Sequence, residues 1–292
     1  MKRIFNFNII TPIIISGFNR NEAELRPQSI KGMLRWWFRF YKSSFLNVDE
    51  LRKFENEVFG STEGSTLFYM RLLKEPKNKG DAYLCMNDKR RQGQKGAQKD
   101  YYRIRRNSYL ASQPFQIGFR FFPHFEYENE VETALMLLSL LGGIGARWRR
   151  GFGSVEVEDF SLKEENFEKI ANEIKSKIEN LKGSIRPDNF MNISNTNIYL
   201  IKPKDSFWNS WESAMNDLRD DFYRELKKNL GINKIAYRPP YGEREVSPLI
   251  IQIKKSNDNY FGIILIWENW NGFESFKNFL ESITNYEIKN IL

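Results

Sequence analysis

Hydrophobic spacing along this chain changes period in the order strand, helix, strand, strand, helix, strand, and then runs through that order again. Residues 3–15, RIFNFNIITPIII, alternate apolar and polar side chains as far as Ile9 and then turn continuously apolar, the pattern of a strand buried at its far end. In PQSIKGMLRWWFRFYKSS, residues 27–44, Ile30, Met33, Leu34, Trp37 and Tyr41 recur at spacings of three and four, which makes a helix begun at Pro27 or Ser29. A short helix over 49–59 follows, and STLFYMRLL (65–73) and DAYLCMN (81–87) read as strands or a hairpin. PFQIGFRFFP (114–123) is a strand, ENEVETALMLLSLLGG (128–143) a helix that opens on acids and closes on glycine, and GSVEVEDF (153–160) a strand. With the short helix and the hairpin taken as insertions, the order is βαββαβ, the ferredoxin-like arrangement.

A charged connecting helix spans 163–183 and closes on Gly183. Beyond it the pattern places strands over 197–202, 247–255, 260–268 and 286–291, with helices over 206–230 and 274–283. A chain of 292 residues also exceeds the usual size of one core. The reading is therefore α+β: two tandem ferredoxin-like (RRM-like, βαββαβ) domains, residues 1–162 and 163–292.

Composition narrows the chemistry. One cysteine, Cys85, and one histidine, His124, exclude a disulfide framework, a cysteine-rich zinc site and most histidine-paired nucleophiles, so no cofactor or metal is expected. The formal net charge of +8 favours anionic partners. No apolar run approaches the roughly 20 residues that span a bilayer, so no membrane partner is expected and the cytoplasm is the expected location.

Between the second helix and the strand that follows lies GGIGARWRRGFGS, residues 142–154. Gly142, Gly143 and Gly145 are read as baring backbone amides to an anion, with Arg147, Arg149 and Arg150 as guanidinium forks for phosphate. The pattern lacks the Gly-Lys-Ser/Thr of a nucleotide-hydrolysing loop, and it runs from helix to strand, the reverse of a dinucleotide fingerprint. In a ferredoxin-like domain this loop reaches the edge where the first helix begins. That helix carries a basic stripe of Lys31, Arg35, Arg39 and Lys42, whose first members are expected to join the loop in holding nucleic-acid phosphates. A basic loop over 88–106 is a further candidate grip.

ELRPQSIKGMLRWWFR (24–39) and GGIGARWRRGFGS (142–154), in their places in the βαββαβ order, resemble the RAMP superfamily of CRISPR-associated proteins, most closely the branch that forms the first subunit of type III-B (Cmr) effector complexes. REVSPLIIQI (244–253) resembles the Arg-x-x-Ser-Pro segment of that branch. The resemblance implies tandem ferredoxin-like domains and a non-catalytic place in an antiviral ribonucleoprotein. Its implied partners are the CRISPR guide RNA and/or target RNA, near the 3′ end of the guide, and the other Cmr complex subunits. The positions it carries over are Ser29, Lys31, Gly32 and Arg35 on the helix, with Gly142, Gly143, Gly145, Arg147, Arg149, Arg150, Gly151 and Gly153 in the loop. Trp148 departs from the small polar residue such a loop has, and either stacks on a base or anchors against protein.

Two other classes are weighed. A guide-processing nuclease of the same superfamily would depend on His124, or on Asp217, Asp220 and Asp221 for a metal; the plainer reading is a turn histidine and solvated acids. A purely structural subunit would present Trp208, Trp211, Tyr237 and Tyr241 to a protein neighbour; the plainer reading packs the two tryptophans inward.

Overall fold

The computed structural model describes residues 2–19, 21–66, 68–87, 101–230 and 247–292. The first sheet contains β1 (Lys2–Ile9), β3 (Phe68–Lys74), β6 (Pro114–Phe121) and β7 (Val155–Val157), in the order β3-β6-β1-β7 with every neighbour antiparallel. Alternation along β1 turns Phe5, Phe7 and Ile9 inward, where Phe5 meets Phe119 edge-on at 5.1 Å and Phe7 stacks on Phe115 at 4.6 Å. Helices α1 (Pro27–Lys42) and α3 (Glu128–Leu141) cover that face with Ile30, Leu34, Trp37, Val131, Leu135 and Leu138. Between α1 and β3, α2 (Val48–Phe59) starts on a capping box in which Asn47 and Glu50 satisfy each other's backbone amides.

The apolar run 3–15 is not one strand. β1 ends at Ile9, and after Pro12, which has no N–H to give a ladder, Ile13–Ile14 form β2 in a different sheet. There β2 pairs with β5 (Tyr101–Tyr109), which pairs in turn with β4 (Lys79–Asn87). The expected basic loop over 88–106 is thereby corrected at its far end, since Arg105 and Arg106 stand on a strand. Arg105 and Arg106 stand side by side on β5 and are both exposed, so no apolar alternation marks that end of the strand. Residues 88–100 lie outside the described residues, as do Tyr237 and Tyr241.

The second sheet is β8 (Thr196–Pro203), β9 (Leu249–Ser256), β10 (Asn259–Trp267) and β11 (Tyr286–Asn290), ordered β11-β8-β10-β9. Both four-stranded sheets thus set their strands in the order fourth, first, third, second. The helix read over 206–230 is in fact three joined pieces: α5 (Trp211–Met215), a π-helical segment (Asn216–Phe222) and α6 (Tyr223–Asn229). With α7 (Phe273–Ser282) they cover one face of the second sheet through Leu218, Phe222, Phe276 and Phe279. The other face, Ile198, Leu200, Ile250, Ile263 and Leu265, shares a core with the first sheet's residues and with Phe167, Ile170 and Ile174 of α4 (Phe167–Ile178). Among the described residues, no helix is long and apolar enough to cross a membrane.

One row of β9 breaks the apolar rule on this shared side. Gln252 is buried and donates to the Trp148 carbonyl, and Lys254, also buried, donates to the carbonyls of Ser139 at 2.6 Å, Gly142 at 2.7 Å and Val155 at 3.3 Å. Three acceptors match the three N–H groups of an ammonium, and the end of α3 carries the negative pole of the helix. Burial pushes the Lys254 pKa down to about 7, with Glu156 opposing. Because the folded pKa lies below the unfolded value, this group makes stability rise with pH from about 7 to about 10.5 and costs most below that window. Lys254→Met orphans three carbonyls and is expected to lower unfolding free energy by about 2–4 kcal/mol. It should also flatten the rise of stability between pH 7 and 10, as read by urea titration at a series of pH values.

Candidate nucleic-acid interface

The loop from α3 to β7 is folded onto its own chain. Gly153 has φ 67°, and a Cβ there would lie 1.8 Å from the Ile144 carbonyl oxygen; Gly145 has φ 88°, with the Ile14 carbonyl oxygen 2.5 Å from its Cβ position. These contacts accompany hydrogen bonds from Ile144 N–H to Gly153 O at 2.7 Å, from Ala146 N–H to Ile14 O at 2.7 Å and from Gly153 N–H to Pro12 O at 2.9 Å. Gly151 N–H donates to Ile251 O on β9 at 2.8 Å, and Gly142 N–H to Leu138 O at 3.0 Å. Gly142 and Gly143 back onto the Trp37 ring and the Gln252 amide. The glycines therefore allow chain to pack on chain, and the amides of Gly142, Gly151 and Gly153 face protein carbonyls. Thr11, which the sequence reading passed over, pins the loop's C-terminal end: its buried hydroxyl donates to Gly151 O at 2.7 Å and accepts from Ser154 N–H at 2.9 Å. A threonine beside the proline that breaks an apolar run was the available signal.

Four loop side chains divide into two pairs. Trp148 is half-buried and meets Trp36 at 5.1 Å and Trp37 at 6.2 Å, so it anchors against protein. Arg149 lies over Trp36 and Trp148 at 5.4 and 5.3 Å and donates to Ser247 O at 3.2 Å; burial holds its pKa below the usual arginine range. Arg147 is exposed, in the left-handed region at φ 62°. Arg150 donates its N–H to Arg147 O at 2.8 Å. Arg147's pKa is lowered by burial first, then by Arg150 and Arg106, so three cations crowd one another here.

The helix stripe does not join them. At about 100° per residue, Ser29 and Gly32 fall within about 40° of Trp36, on the flank that meets the loop, whereas Lys31 and Arg35 are turned about 100–140° away. One oxygen of the buried Glu55 on α2 accepts from Arg35 at 2.8 Å and from Arg39 at 2.9 Å, and Lys42 pairs with Glu130 at 3.4 Å. Lys31 lies over Phe68 at 4.8 Å, its pKa pushed down to about 8 by burial and then by Arg35. Ser29 and Gly32 thus share the flank of α1 that carries Trp36, whereas Lys31 lies over Phe68 of β3 and Arg35 and Arg39 are held by Glu55 of α2. Gly32 is exposed, and a Cβ there would meet nothing within 4 Å, so packing does not explain a glycine inside this helix.

Beside Arg147 opens a cleft of about 820 Å³ lined by Ser16, Asn21, Arg105, Arg106, Asn107 and Arg147, with no acidic side chain in its wall. Arg105 pairs with Asp81 at 2.7 Å; among the described residues Arg106, Arg147 and Arg150 have no carboxylate partner. Phe18, two residues past Ser16, is fully exposed. A second cleft of about 860 Å³ beside Arg35, Arg52 and Lys53 also contains Glu63, and its Arg35 is held by Glu55, so the first is the better anion site.

Residues weighed for catalysis sit otherwise. His124 is exposed in a turn at φ 69°, Asp217 accepts from Trp208 Nε1 at 2.6 Å, and Asp221 pairs with Arg224 at 3.6 Å. Among the described residues, no group of three His, Cys, Asp or Glu could hold a metal ion. Trp208 is in the second core and Trp211 packs against it.

The sequence model of the RAMP superfamily matches residues 6–156, just over half of the chain. This chain belongs to the RAMP superfamily. Among curated proteins it is similar to CRISPR system Cmr subunit Cmr1-2 of Pyrococcus furiosus, 29% identical over an alignment 183 positions long, gaps included, which covers 53% of this chain and 94% of that protein. It is also 30% identical to subunit Cmr1-1 of the same organism over an alignment of 167 positions that covers 51% of this chain and 45% of that one. In fold it is similar to the crystal structure of apo Cmr1 from Pyrococcus furiosus, with TM-score 0.63, 19% identity and coverage of 100% of this chain and 98% of the other. A chain of the type III-B Cmr-beta complex bound to cognate target RNA and AMPPnP matches with TM-score 0.62 and 12% identity, over 95% of this RAMP chain and 97% of its own. The resemblance read from the two motifs is thus borne out.

The two kinds of glycine separate on substitution. Gly153→Ala is expected to cost about 3 kcal/mol or more through strain and backbone overlap. Gly32→Ala is expected to raise stability by about 0.5–1 kcal/mol. Thermal unfolding of both variants checks the contrast.

Proposed function

We propose that this chain is a Cmr1-type, non-catalytic RNA-binding subunit of a type III-B (Cmr) CRISPR ribonucleoprotein, working in the cytoplasm beside other Cmr subunits. Its RNA is the guide and/or the target, near the 3′ end of the guide. The strand order of the two four-stranded sheets supports reading it as two tandem ferredoxin-like domains meeting near residue 162. The observation that carries the function is the cleft in which, among the described residues, no acid lines the wall and Arg106 and Arg147 have no carboxylate partner.

Arginine forks there bind phosphate oxygens, while Ser16, Asn21 and Asn107 offer hydroxyl and amide donors to phosphate or ribose. Exposed Phe18, next in sequence to Gly17 of the cleft wall, supplies a face for a splayed base. Such contacts read charge and backbone shape, and base pairing between guide and target supplies the sequence. The bare flank at Gly32 gives an RNA backbone room to lie against α1. Arg35 and Arg39, already bound to Glu55, hold α1 on α2.

The test is a fluorescence titration of labelled single-stranded RNA at several salt concentrations. Arg106→Ala with Arg147→Ala should weaken binding about 10- to 100-fold and lower the salt slope by about 1.4, whereas Arg39→Ala should leave the slope unchanged. The RNA should stay intact throughout. Unchanged affinity and slope in the double variant, or cleavage that disappears in His124→Ala, would contradict the reading.

A further inference from the structure

The positive surface does not stop at the cleft. Arg150 sits where the loop makes a parallel bridge to Ile251 on β9, and its guanidinium lies 5.5 Å from the ring centroid of Tyr223, the first residue of α6. Lys227, one turn along α6, lies over the same ring at 5.2 Å. Two cations from different units therefore share one aromatic face. Among the described residues neither has a carboxylate partner, while their neighbour Arg224 is paired with Asp221 at 3.6 Å.

These cations act on one another. Lys227 is held below the usual lysine range by burial, then by Arg150 and Arg224, and Arg147 by burial, then by Arg150 and Arg106. Like charges that raise each other's energy are relieved when an anion enters. The run is continuous, because Arg150 donates its N–H to Arg147 O and so stands one turn from the arginine that lines the cleft. α6 is reached through the π-helical Asn216–Phe222, and π turns commonly occur where a side chain must be re-aimed. The Trp208 indole fixes that segment through Asp217.

We propose that Arg150 and Lys227, spread over Tyr223, form a second phosphate-binding station for single-stranded RNA, so that the RNA path runs from Arg106 and Arg147 across the junction onto the second unit. The proposal rests on the RNA-binding reading of the cleft and extends it, for it gives the second unit a part in holding nucleic acid. An extended polyanion suits this arrangement because the cations lie in file over two units.

The experiment uses the full chain and a fluorescein-labelled oligouridylate, titrated at several salt concentrations, with Lys227→Glu, Lys227→Gln, Lys227→Arg and Arg147→Ala compared with the parent. Lys227→Gln should weaken binding about 3- to 10-fold and lower the salt slope by about 0.7. Lys227→Glu should weaken it more, and Lys227→Arg should restore it. If Lys227→Glu perturbs folding by circular dichroism, the Gln and Arg variants carry the comparison. Unchanged affinity in Lys227→Gln alongside a loss in Arg147→Ala would overturn the second station and leave the cleft standing. No loss in either would overturn both. Equal competition by polyglutamate and unlabelled oligouridylate would assign the station to an acidic protein and overturn the proposal.

Discussion

Everything near the candidate interface depends on one buried ammonium. Lys254 reaches from the second sheet to the carbonyls of Ser139, Gly142 and Val155, so a single side chain holds the end of α3, the start of the loop and the strand into which the loop returns. An aliphatic side chain at that position would bury apolar area and leave three carbonyls unsatisfied. With Gln252 on the Trp148 carbonyl and the Ile251 backbone on Arg149 O and Gly151 N–H, β9 becomes the template on which the loop is shaped. The two units are thus joined by polar contacts of defined geometry as well as by shared apolar surface.

That joint explains the density of glycine. Loop backbone lies against Ile14, Pro12, Ile144 and β9 at distances that leave no room for Cβ at Gly145 and Gly153. Close packing of backbone on backbone then decides where the arginines go. Trp148 and Arg149 turn inward onto Trp36, and Arg147 and Arg150 turn outward into company with Arg106 and Lys227. A rigid loop holding unpaired cations outward is organised for an anion before one arrives, which lowers the ordering cost of binding.

The sequence made the local part of this legible. Spacings of three and four over 27–44, with acids at the start and glycine at the end of 128–143, placed α1 and α3 to within two residues, whereas the strand read over 3–15 ends at Ile9. It failed where a distant residue decides the outcome. Arg35 and Arg39 read as part of a stripe for phosphates because nothing near them in sequence announces Glu55, and nothing near Lys254 announces the end of α3 that the fold brings to it. The strand bearing Arg105 and Arg106 read as loop because no apolar alternation marks it, and Asp81 on β4, which Arg105 meets, is distant in sequence. The loop itself was found by composition, but the Gly142 amide expected to meet phosphate is taken by Leu138 O, and of the three arginines Arg149 turns inward onto Trp36.

The central claim is that RNA lies along the outward arginines and not along the α1 stripe. Photo-crosslinking of 4-thiouridine-substituted single-stranded RNA to the full chain, with peptides identified by mass spectrometry, tests it most directly. The account predicts crosslinks in the segments 16–21, 105–107 and 146–150. Crosslinks confined to the face formed by 31–39 and 52–66, with none in those three segments, would contradict it.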